Sequence, residues 1–266
     1  MSKVIVPQRG DDLKALARLC DALYICPKDH VGKRLGPMVA YAGKSPDGKN
    51  LIGDIYFNFR RIECHPLVVE QFAEVVAEKI IGAHIADTLD TVCGIPEGGR
   101  SLAQPLARIL GKRFVYATKV PKPTEQGKKQ EYTWDLSQFA FAQKERLLVV
   151  EDVINNLQNT DNTLEQIALT GAEVVILSAA LNRSPFADTE YIPRKGPYAD
   201  KVLPIVAAIR EPYPEYSQTD SAVVGDVAAG NVEFGVKNNW TLLMVAMECA
   251  SGRKVPDSGS SRFGGF

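Results

Sequence analysis

Residues 147–154 have the sequence Leu-Leu-Val-Val-Glu-Asp-Val-Ile. Four successive apolar residues predict a strand that is buried on both faces, as strands of a parallel sheet are. Glu151 and Asp152 then stand at the carboxyl end of this strand, the edge at which open α/β sheets bind ligands. Adjacent carboxylates suit sugar hydroxyls and a divalent cation, since both need oxygen acceptors of high charge density. The alternative is a buried strand that ends in solvated acids.

Buried strands and helices alternate along the rest of the chain. The sequence predicts further strands at 91–95, 113–118, 173–181 and 202–209. Pro66 suits the first turn of a helix that runs to about residue 81, and another helix runs through Leu110. This order of elements predicts an α/β fold with a doubly wound, mainly parallel sheet.

Composition excludes several classes of protein. The chain has 266 residues, a formal net charge of -1 and 24% charged residues, so no basic excess points to nucleic acid. We find no apolar run of membrane-spanning length and no signal peptide at the N-terminus. Five cysteines without a C-x-x-C pair, and three histidines at no ligand spacing to them, predict a cytoplasmic protein with reduced thiols and no zinc site.

Two further segments predict contacts to phosphate. Gly98 and Gly99 lie between a strand and a helix, where a backbone without side chains approaches a diphosphate closely. Tight turns of this kind without any ligand are the commoner alternative. Beyond the acid pair, Thr160 and Thr163 offer hydroxyls, and the helix predicted from Thr163 to Leu169 offers free N–H groups.

Residues 119–130 are polar, basic and interrupted by prolines, which predicts a mobile loop. One interpretation is a solvated surface loop. The other is a lid that brings Lys119 and Lys122 onto a diphosphate and excludes water.

The stretch around Glu151 and Asp152 resembles the phosphoribosyl-pyrophosphate (PRPP) signature of type I phosphoribosyltransferases. In that family an apolar strand, two acids and two apolar residues precede a short loop rich in threonine and glycine. Here residues 155–163 are longer and have no glycine, and residues 160–163 are the counterpart of the Thr-x-Gly-Thr segment. The run from Gly94 to Gly111 also resembles the turn that receives pyrophosphate in that family.

Other segments resemble the orotate phosphoribosyltransferases in particular. Those enzymes have Arg-Lys-x-x-Lys-x-His-Gly in the lid, and Lys119 and Lys122 match both lysines, whereas Thr118 and Thr124 replace the arginine and the histidine. Residues 36–61 resemble their N-terminal hood. An arginine at the place of Arg183 pairs with the substrate carboxylate in those enzymes, which suits a guanidinium fork.

The resemblance implies transfer of ribose 5-phosphate from PRPP to a pyrimidine base, orotate, with release of pyrophosphate. It implies Mg²⁺ held at Asp152, directly or indirectly, and a homodimer in which each lid closes over the neighbouring site. The implied residues form three groups: catalytic Lys119, Lys122 and Asp152; PRPP-binding Gly98, Gly99, Glu151, Asp152, Thr160 and Thr163; and base-binding Arg183.

Two alternatives stay open. Because the phosphate loop and the lid depart from the family pattern, the chain is alternatively a non-catalytic regulator that binds PRPP or a nucleotide. It is also alternatively a phosphoribosyltransferase for another base. In domain terms we expect an N-terminal helix and hood (1–64), an α/β core (65–183), a C-terminal extension that completes the core (184–250) and a disordered tail (251–266).

Overall fold

The structure is a computed structural model that describes residues 4–123, 130 and 132–250. Thr124 of the expected lid and the tail 251–266 lie outside the described residues.

The elements are numbered in chain order. The strands are β1 (Leu23–Ile25), β2 (Met38–Lys44), β3 (Asn50–Gly53), β4 (Ile55–Phe57), β5 (Thr91–Gly94), β6 (Arg113–Tyr116), β7 (Thr118–Pro121), β8 (Tyr132–Asp135), β9 (Arg146–Ile154), β10 (Glu173–Asn182), β11 (Glu190–Tyr191), β12 (Leu203–Arg210) and β13 (Val232–Glu233). The helices are α1 (Leu13–Leu19), α2 (Phe59–Ile62), α3 (Pro66–Gly82), α4 (Gly98–Leu110), α5 (Gln158–Leu169), α6 (Val224–Ala228) and α7 (Trp240–Ala250), with a 3-10 turn at Ala86–Thr88. None of these described helices is both long enough and apolar enough to span a bilayer.

The described residues fall into two compact units. The first comprises those of Met1–Ala22 and Phe57–Pro212, and the second those of Leu23–Tyr56 and Tyr213–Phe266. Strand β12 joins the core sheet, and the described residues from Tyr213 onward group with those of Leu23–Tyr56. The domain bounds expected from the sequence stay a prediction.

The first unit is built on a six-stranded sheet of order β11-β12-β10-β9-β5-β6. Only β11 runs antiparallel to its neighbour; the other five strands are parallel. Taken in chain order, these five strands have the spatial order 2-1-3-4-5, which is one of the two common doubly wound arrangements. The predicted fold class is therefore confirmed. The strand order reverses between β5 and β9, the position at which such sheets bind ligands.

Strand β9 is buried on both faces, as its sequence predicts. Leu147, Leu148, Val149 and Val150 have no exposed surface. Leu147 and Val149 belong to the same apolar cluster as residues of helix α5, whereas the alternate residues point to the other side of the sheet. Burying four such side chains contributes roughly 1.5–3 kcal/mol each, which makes β9 the centre of the core.

Helix ends follow the sequence signals where those signals are strong. Pro66 opens α3, Asp12 accepts a hydrogen bond from the backbone N–H of Lys14 at the start of α1, and Gly111 ends α4 with a φ of 65°. Proline suits the first turn because its missing N–H has no partner there in any case, and the aspartate binds a free N–H of the first turn. Glycine adopts the left-handed conformation at the end of α4 without strain.

Two loops predicted from the sequence are wrong in extent. The expected long loop 155–163 is a three-residue turn, because α5 already begins at Gln158. Leu157, the residue before the helix, adopts a left-handed φ of 59° and offers no side-chain cap. Asn156 Oδ1 accepts a hydrogen bond from the Gln158 N–H instead, and the helix begins within the polar run. The expected mobile loop 119–130 also begins within a strand, since residues 119–121 belong to β7, which pairs antiparallel with β8.

In the second unit, strand pairing and ion pairs connect residues 23–56, which include the hood strands β2 and β3, to the C-terminal segment. Strand β13 pairs in parallel with β2. Arg34 Nε lies 2.6 Å from Asp54 Oδ1, and Arg34 Nη1 lies 2.9 Å from Asp226 Oδ2. Asp54 is 5% exposed, and burial alone would raise the pKa of its carboxyl, but hydrogen bonds from Arg34 and Lys28 outweigh burial and lower it. This buried network explains why the two distant segments form one unit.

Candidate active site

The acid pair and the glycine pair meet where the strand order reverses. Gly94 at the end of β5 is in register with Val150 of β9, and the Ile95 N–H donates to the Val150 carbonyl at 2.9 Å. The chain therefore leaves β5 beside Glu151, the residue that follows Val150. The glycine turn and the two carboxylates consequently share one edge of the sheet.

Gly98 and Gly99 are glycines for a steric reason that the structure makes plain. A Cβ at Gly98 would lie 2.7 Å from Asp152 Cγ, and one at Gly99 would lie 3.0 Å from the carbonyl carbon of Val150. Any side chain here would push α4 away from β9. The turn also contains one cis peptide bond, between Pro96 and Glu97. The turn thus places the first N–H groups of α4, which have no partner within the helix, next to the acid pair.

Glu151 is a buried carboxyl with one oxygen already engaged. It is 8% exposed, and its Oε1 accepts a hydrogen bond from Thr160 Oγ1 at 2.9 Å. Burial, and then the neighbouring Asp152 carboxyl, raise the pKa of Glu151 to about 8, although the Thr160 hydroxyl opposes this. Glu151 is therefore mostly protonated at neutral pH and can donate as well as accept a hydrogen bond.

Asp152 is the more accessible acid of the pair. Its Oδ1 accepts from the Val153 N–H at 2.9 Å, and its other oxygen faces Gly98. Burial raises the pKa of Asp152 and the nearby Glu63 adds to this, whereas the Val153 N–H and Arg60 lower it. Oδ2 is thus directed toward the glycine turn.

The structure brings Thr160 and Thr163 into the first turns of α5, both almost fully buried. Thr160 donates to Glu151, and Thr163 Oγ1 donates to the Asn159 carbonyl at 3.0 Å. Both hydroxyls are therefore bound to internal acceptors. Their role toward a 5-phosphate stays a prediction that requires them to exchange these partners.

Lys119 and Lys122 lie on or next to the β7–β8 hairpin. Lys119 Nζ is 4.2 Å from the ring centroid of Tyr132 and 5.8 Å from that of Trp134. Trp134 in turn donates from Nε1 to the Asn159 carbonyl of α5 at 3.2 Å, which fixes this face of the hairpin on the helix. Lys122 is exposed just beyond β7, and its carbonyl accepts from Gln130 Nε2 at 2.7 Å.

Arg183 follows β10 directly, as the sequence predicts, and its backbone N–H donates to the Ile154 carbonyl at 3.0 Å. The residue is 6% exposed. Arg183 thus lies at the same sheet edge as the acid pair, on the neighbouring strand and three residues beyond the position of Asp152 in the register. Whether it contacts a base stays a prediction.

Sequence reasoning gave no role to three charged side chains around the glycine turn, those of Arg60, Glu63 and Arg100. Arg60 forms an ion pair with Glu97, and Ser101 Oγ donates to Glu63 Oε1 at 2.9 Å. Arg100 Nη2 lies 3.3 Å from Thr118 Oγ1. Only Arg100 could have been found from the sequence, because it follows the glycine pair directly. Arg60 lies in α2 and Glu63 directly follows it, and the sequence has no apolar periodicity that predicts this short helix.

A magnesium ion fits the donor set only with help from a substrate. Among residues 4–123, 130 and 132–250, no three His, Cys, Asp or Glu side chains come together to hold a metal. Mg²⁺ bound with phosphate ligands commonly uses just one or two protein carboxylates, however. Asp152 is the residue that would hold it.

Two curated proteins of the same kind are similar in sequence to about half of this chain. An orotate phosphoribosyltransferase from Wolinella succinogenes is 30% identical over 130 residues, which are 49% of this chain and 58% of that protein. One from Caldanaerobacter subterraneus subsp. tengcongensis is 30% identical over 132 residues, which are 49% of this chain and 62% of that protein. The chain is similar to orotate phosphoribosyltransferases.

This similarity confirms the resemblance stated from the motifs. The chain spans about three fifths of the length of these two orotate phosphoribosyltransferases. The solved orotate phosphoribosyltransferase from Aeropyrum pernix matches with a TM-score of 0.43 and 19% identity, over 66% of this chain and 89% of that one. No protein-family model matches the chain.

Proposed function

We propose that the protein transfers ribose 5-phosphate from PRPP to a pyrimidine base, orotate, and releases pyrophosphate. The observation that supports this most strongly is the packing of the Asp152 carboxylate on Gly98. This contact places the two acids, which suit ribose hydroxyls, beside the glycine turn, which suits a diphosphate. Both lie where the strand order of the sheet reverses, between β5 and β9. The similarity to orotate phosphoribosyltransferases points to the same reaction.

Each residue has a defined part in this proposal. As the bond from C1 of the ribose to the pyrophosphate oxygen breaks, positive charge grows on the sugar and negative charge on the leaving group. Asp152 and Glu151 hold the ribose hydroxyls, and the negative charge of Asp152 favours the cationic sugar. The backbone N–H groups of Gly98 and Gly99 donate hydrogen bonds to the pyrophosphate, and Lys119 and Lys122 neutralise its charge.

At the other side of the sugar, Arg183 orients the carboxylate of the base, and the start of α5 with Thr160 and Thr163 anchors the 5-phosphate. Mg²⁺, when bound at Asp152, would neutralise charge on the diphosphate. We also propose that the protein acts as a homodimer in the cytoplasm.

Formation of orotidine 5'-monophosphate and pyrophosphate from orotate, PRPP and Mg²⁺ tests the reaction. We expect turnover in the wild type and a loss of about 10²-fold or more in Asp152→Asn, which keeps the shape but not the charge. Asp87→Asn is the matched control, because Asp87 is exposed in the 3-10 turn before β5. Absence of turnover in the wild type, or equal turnover in Asp152→Asn, contradicts the proposal.

One observation favours a second candidate, a non-catalytic regulator that binds PRPP. Thr160 and Thr163 both donate to internal acceptors and not outward. Micromolar PRPP binding without pyrophosphate release, over a panel of pyrimidine and purine bases, would favour the regulator.

The choice of base has its own test. With the same panel, turnover of another base in place of orotate would keep the chemistry and change the substrate. Arg183→Ala should lose its preference for orotate while it still binds PRPP, which also shows that the variant is folded. Unchanged orotate affinity in Arg183→Ala contradicts the role given to Arg183.

A further inference from the structure

Arg100 has an unusual environment for a charged side chain. It is the third residue of α4 and is only partly exposed. Its guanidinium carbon lies 4.1 Å from the ring centroid of Tyr116, and Nη2 donates to Thr118 Oγ1 at 3.3 Å. The Nε atom is buried and has no hydrogen-bond partner among the described residues. Within that part of the chain no carboxylate lies at ion-pair distance from Arg100 either.

The backbone holds Arg100 in this place. A Cβ at Gly94 would lie 2.7 Å from the Cα of Arg100, so the first turn of α4 presses directly on the end of β5. The ring of Tyr116 then covers one side of the guanidinium, at the end of the next strand. Arg100 is therefore fixed by a rigid helix and a flat ring, at the sheet edge that Gly98 shares with Asp152.

A guanidinium without a carboxylate partner, packed on an aromatic ring, has donors left over for an anion. Its planar fork suits two oxygens of a phosphate group. The backbone N–H groups of Gly98 and Gly99, at the start of α4, can donate to the same anion as Arg100. The position of Arg100 thus favours a diphosphate over a monophosphate, because the glycine turn and the arginine can each take one phosphate group.

We propose that Arg100 binds the diphosphate of the ligand. This inference rests on the proposed function. Orotate phosphoribosyltransferases have an arginine in the lid at the position that Thr118 occupies here. We infer that Arg100 of helix α4 supplies this guanidinium instead. Thr118 instead accepts a hydrogen bond from Arg100 and so orients it. The guanidinium is then carried by helix α4, while Thr118 at the start of β7 orients it.

Calorimetry with inorganic pyrophosphate and Mg²⁺ tests this role. We expect the affinity of Arg100→Gln to fall by about tenfold to a hundredfold, and that of Arg100→Lys to lie between Gln and wild type. Arg108→Gln is the matched control, since Arg108 lies on the same helix and pairs with Glu70; it should bind pyrophosphate within twofold of wild type. Combining Arg100→Gln with Thr118→Arg should restore much of the affinity by returning a guanidinium to the hairpin.

Orotidine 5'-monophosphate, which has no diphosphate, serves as the second ligand. Its affinity should be unchanged in Arg100→Gln, and this shows that the variant is folded. Pyrophosphate binding that depends on Arg100 supports the inference even if the wild type does not turn over orotate, in which case only the proposed function fails. Full pyrophosphate affinity in Arg100→Gln, or no pyrophosphate binding by the wild type, overturns the inference whatever the turnover assay gives.

Discussion

The Thr160 hydroxyl donates to the buried carboxyl of Glu151 across 2.9 Å and so ties helix α5 to the end of strand β9. Removing the hydroxyl leaves a buried carboxyl oxygen without its donor, which costs about 1–2 kcal/mol. We therefore expect Thr160→Val to lower the free energy of unfolding by that amount in a urea titration. Thr163→Val is the control in the same helix. It should cost less, because Thr163 donates to a backbone carbonyl of its own helix. Equal losses would contradict the importance given to the Thr160–Glu151 contact.

The raised pKa of Glu151 predicts how stability changes with pH. Its ordinary value is 4.5 and its value in the folded protein is about 8. Between these values the folded state holds a proton that the unfolded state has lost, so this carboxyl makes the free energy of unfolding fall as pH rises from 4.5 to 8. Glu151→Gln cannot ionise, so its stability relative to the wild type should rise by about 4 kcal/mol between pH 4.5 and pH 8.

Thermal unfolding of both proteins across this pH range measures the effect without any ligand. Glu74→Gln, an exposed exchange on α3, should keep the wild-type pH dependence. Parallel curves for wild type and Glu151→Gln would contradict the buried state of this carboxyl.

The contact between Gly98 and Asp152 predicts a strong effect of a single methyl group. In Gly98→Ala the new Cβ would collide with the Asp152 carboxylate, so α4 must shift or Asp152 must turn away. We expect PRPP affinity to fall about tenfold or more, with a loss of about 1–3 kcal/mol in stability. Gly82→Ala is the control, because nothing lies within 4 Å of a Cβ there. Wild-type PRPP affinity in Gly98→Ala would refute the close packing of turn and acid pair.

The charged network of the second unit should matter more than any surface ion pair. Asp54→Asn removes the partner of Arg34 and Lys28 in a site where Asp54 is only 5% exposed. Leaving Lys28 without its anion and Arg34 with Asp226 alone should cost about 3 kcal/mol. Breaking the exposed pair between Arg9 and Glu78 with Glu78→Gln should cost less than about 0.5 kcal/mol. Chemical unfolding of both variants decides this, and similar losses would contradict it.

The sequence predicts the core because its signals there are local. The apolar run of β9, the glycines after β5 and the proline that opens α3 each specify their own conformation. The sequence does not predict the start of α5, because the residues there are polar and show no apolar period. The buried positions of this helix do recur at helical spacing, but the first two of them are threonines: Thr160, Thr163, Leu164 and Ile167.

Contacts between distant residues could not be read in this way. The pairing of Lys119 with Trp134 in the hairpin depends on two segments folding together. The same holds for the contact of Arg100 with Thr118 and for the grouping of the residues after Tyr213 with the hood strands. Each arises from tertiary packing, for which no single segment carries a signal.

Titration calorimetry with PRPP at millimolar Mg²⁺ tests most directly whether the ribose of this donor binds to Glu151 and Asp152. We expect saturable heat with the wild type, an unchanged affinity in Asp87→Asn, and an affinity at least about tenfold weaker in Asp152→Asn. No heat from folded wild-type protein, or equal affinity in Asp152→Asn, would contradict binding of the donor at the acid pair.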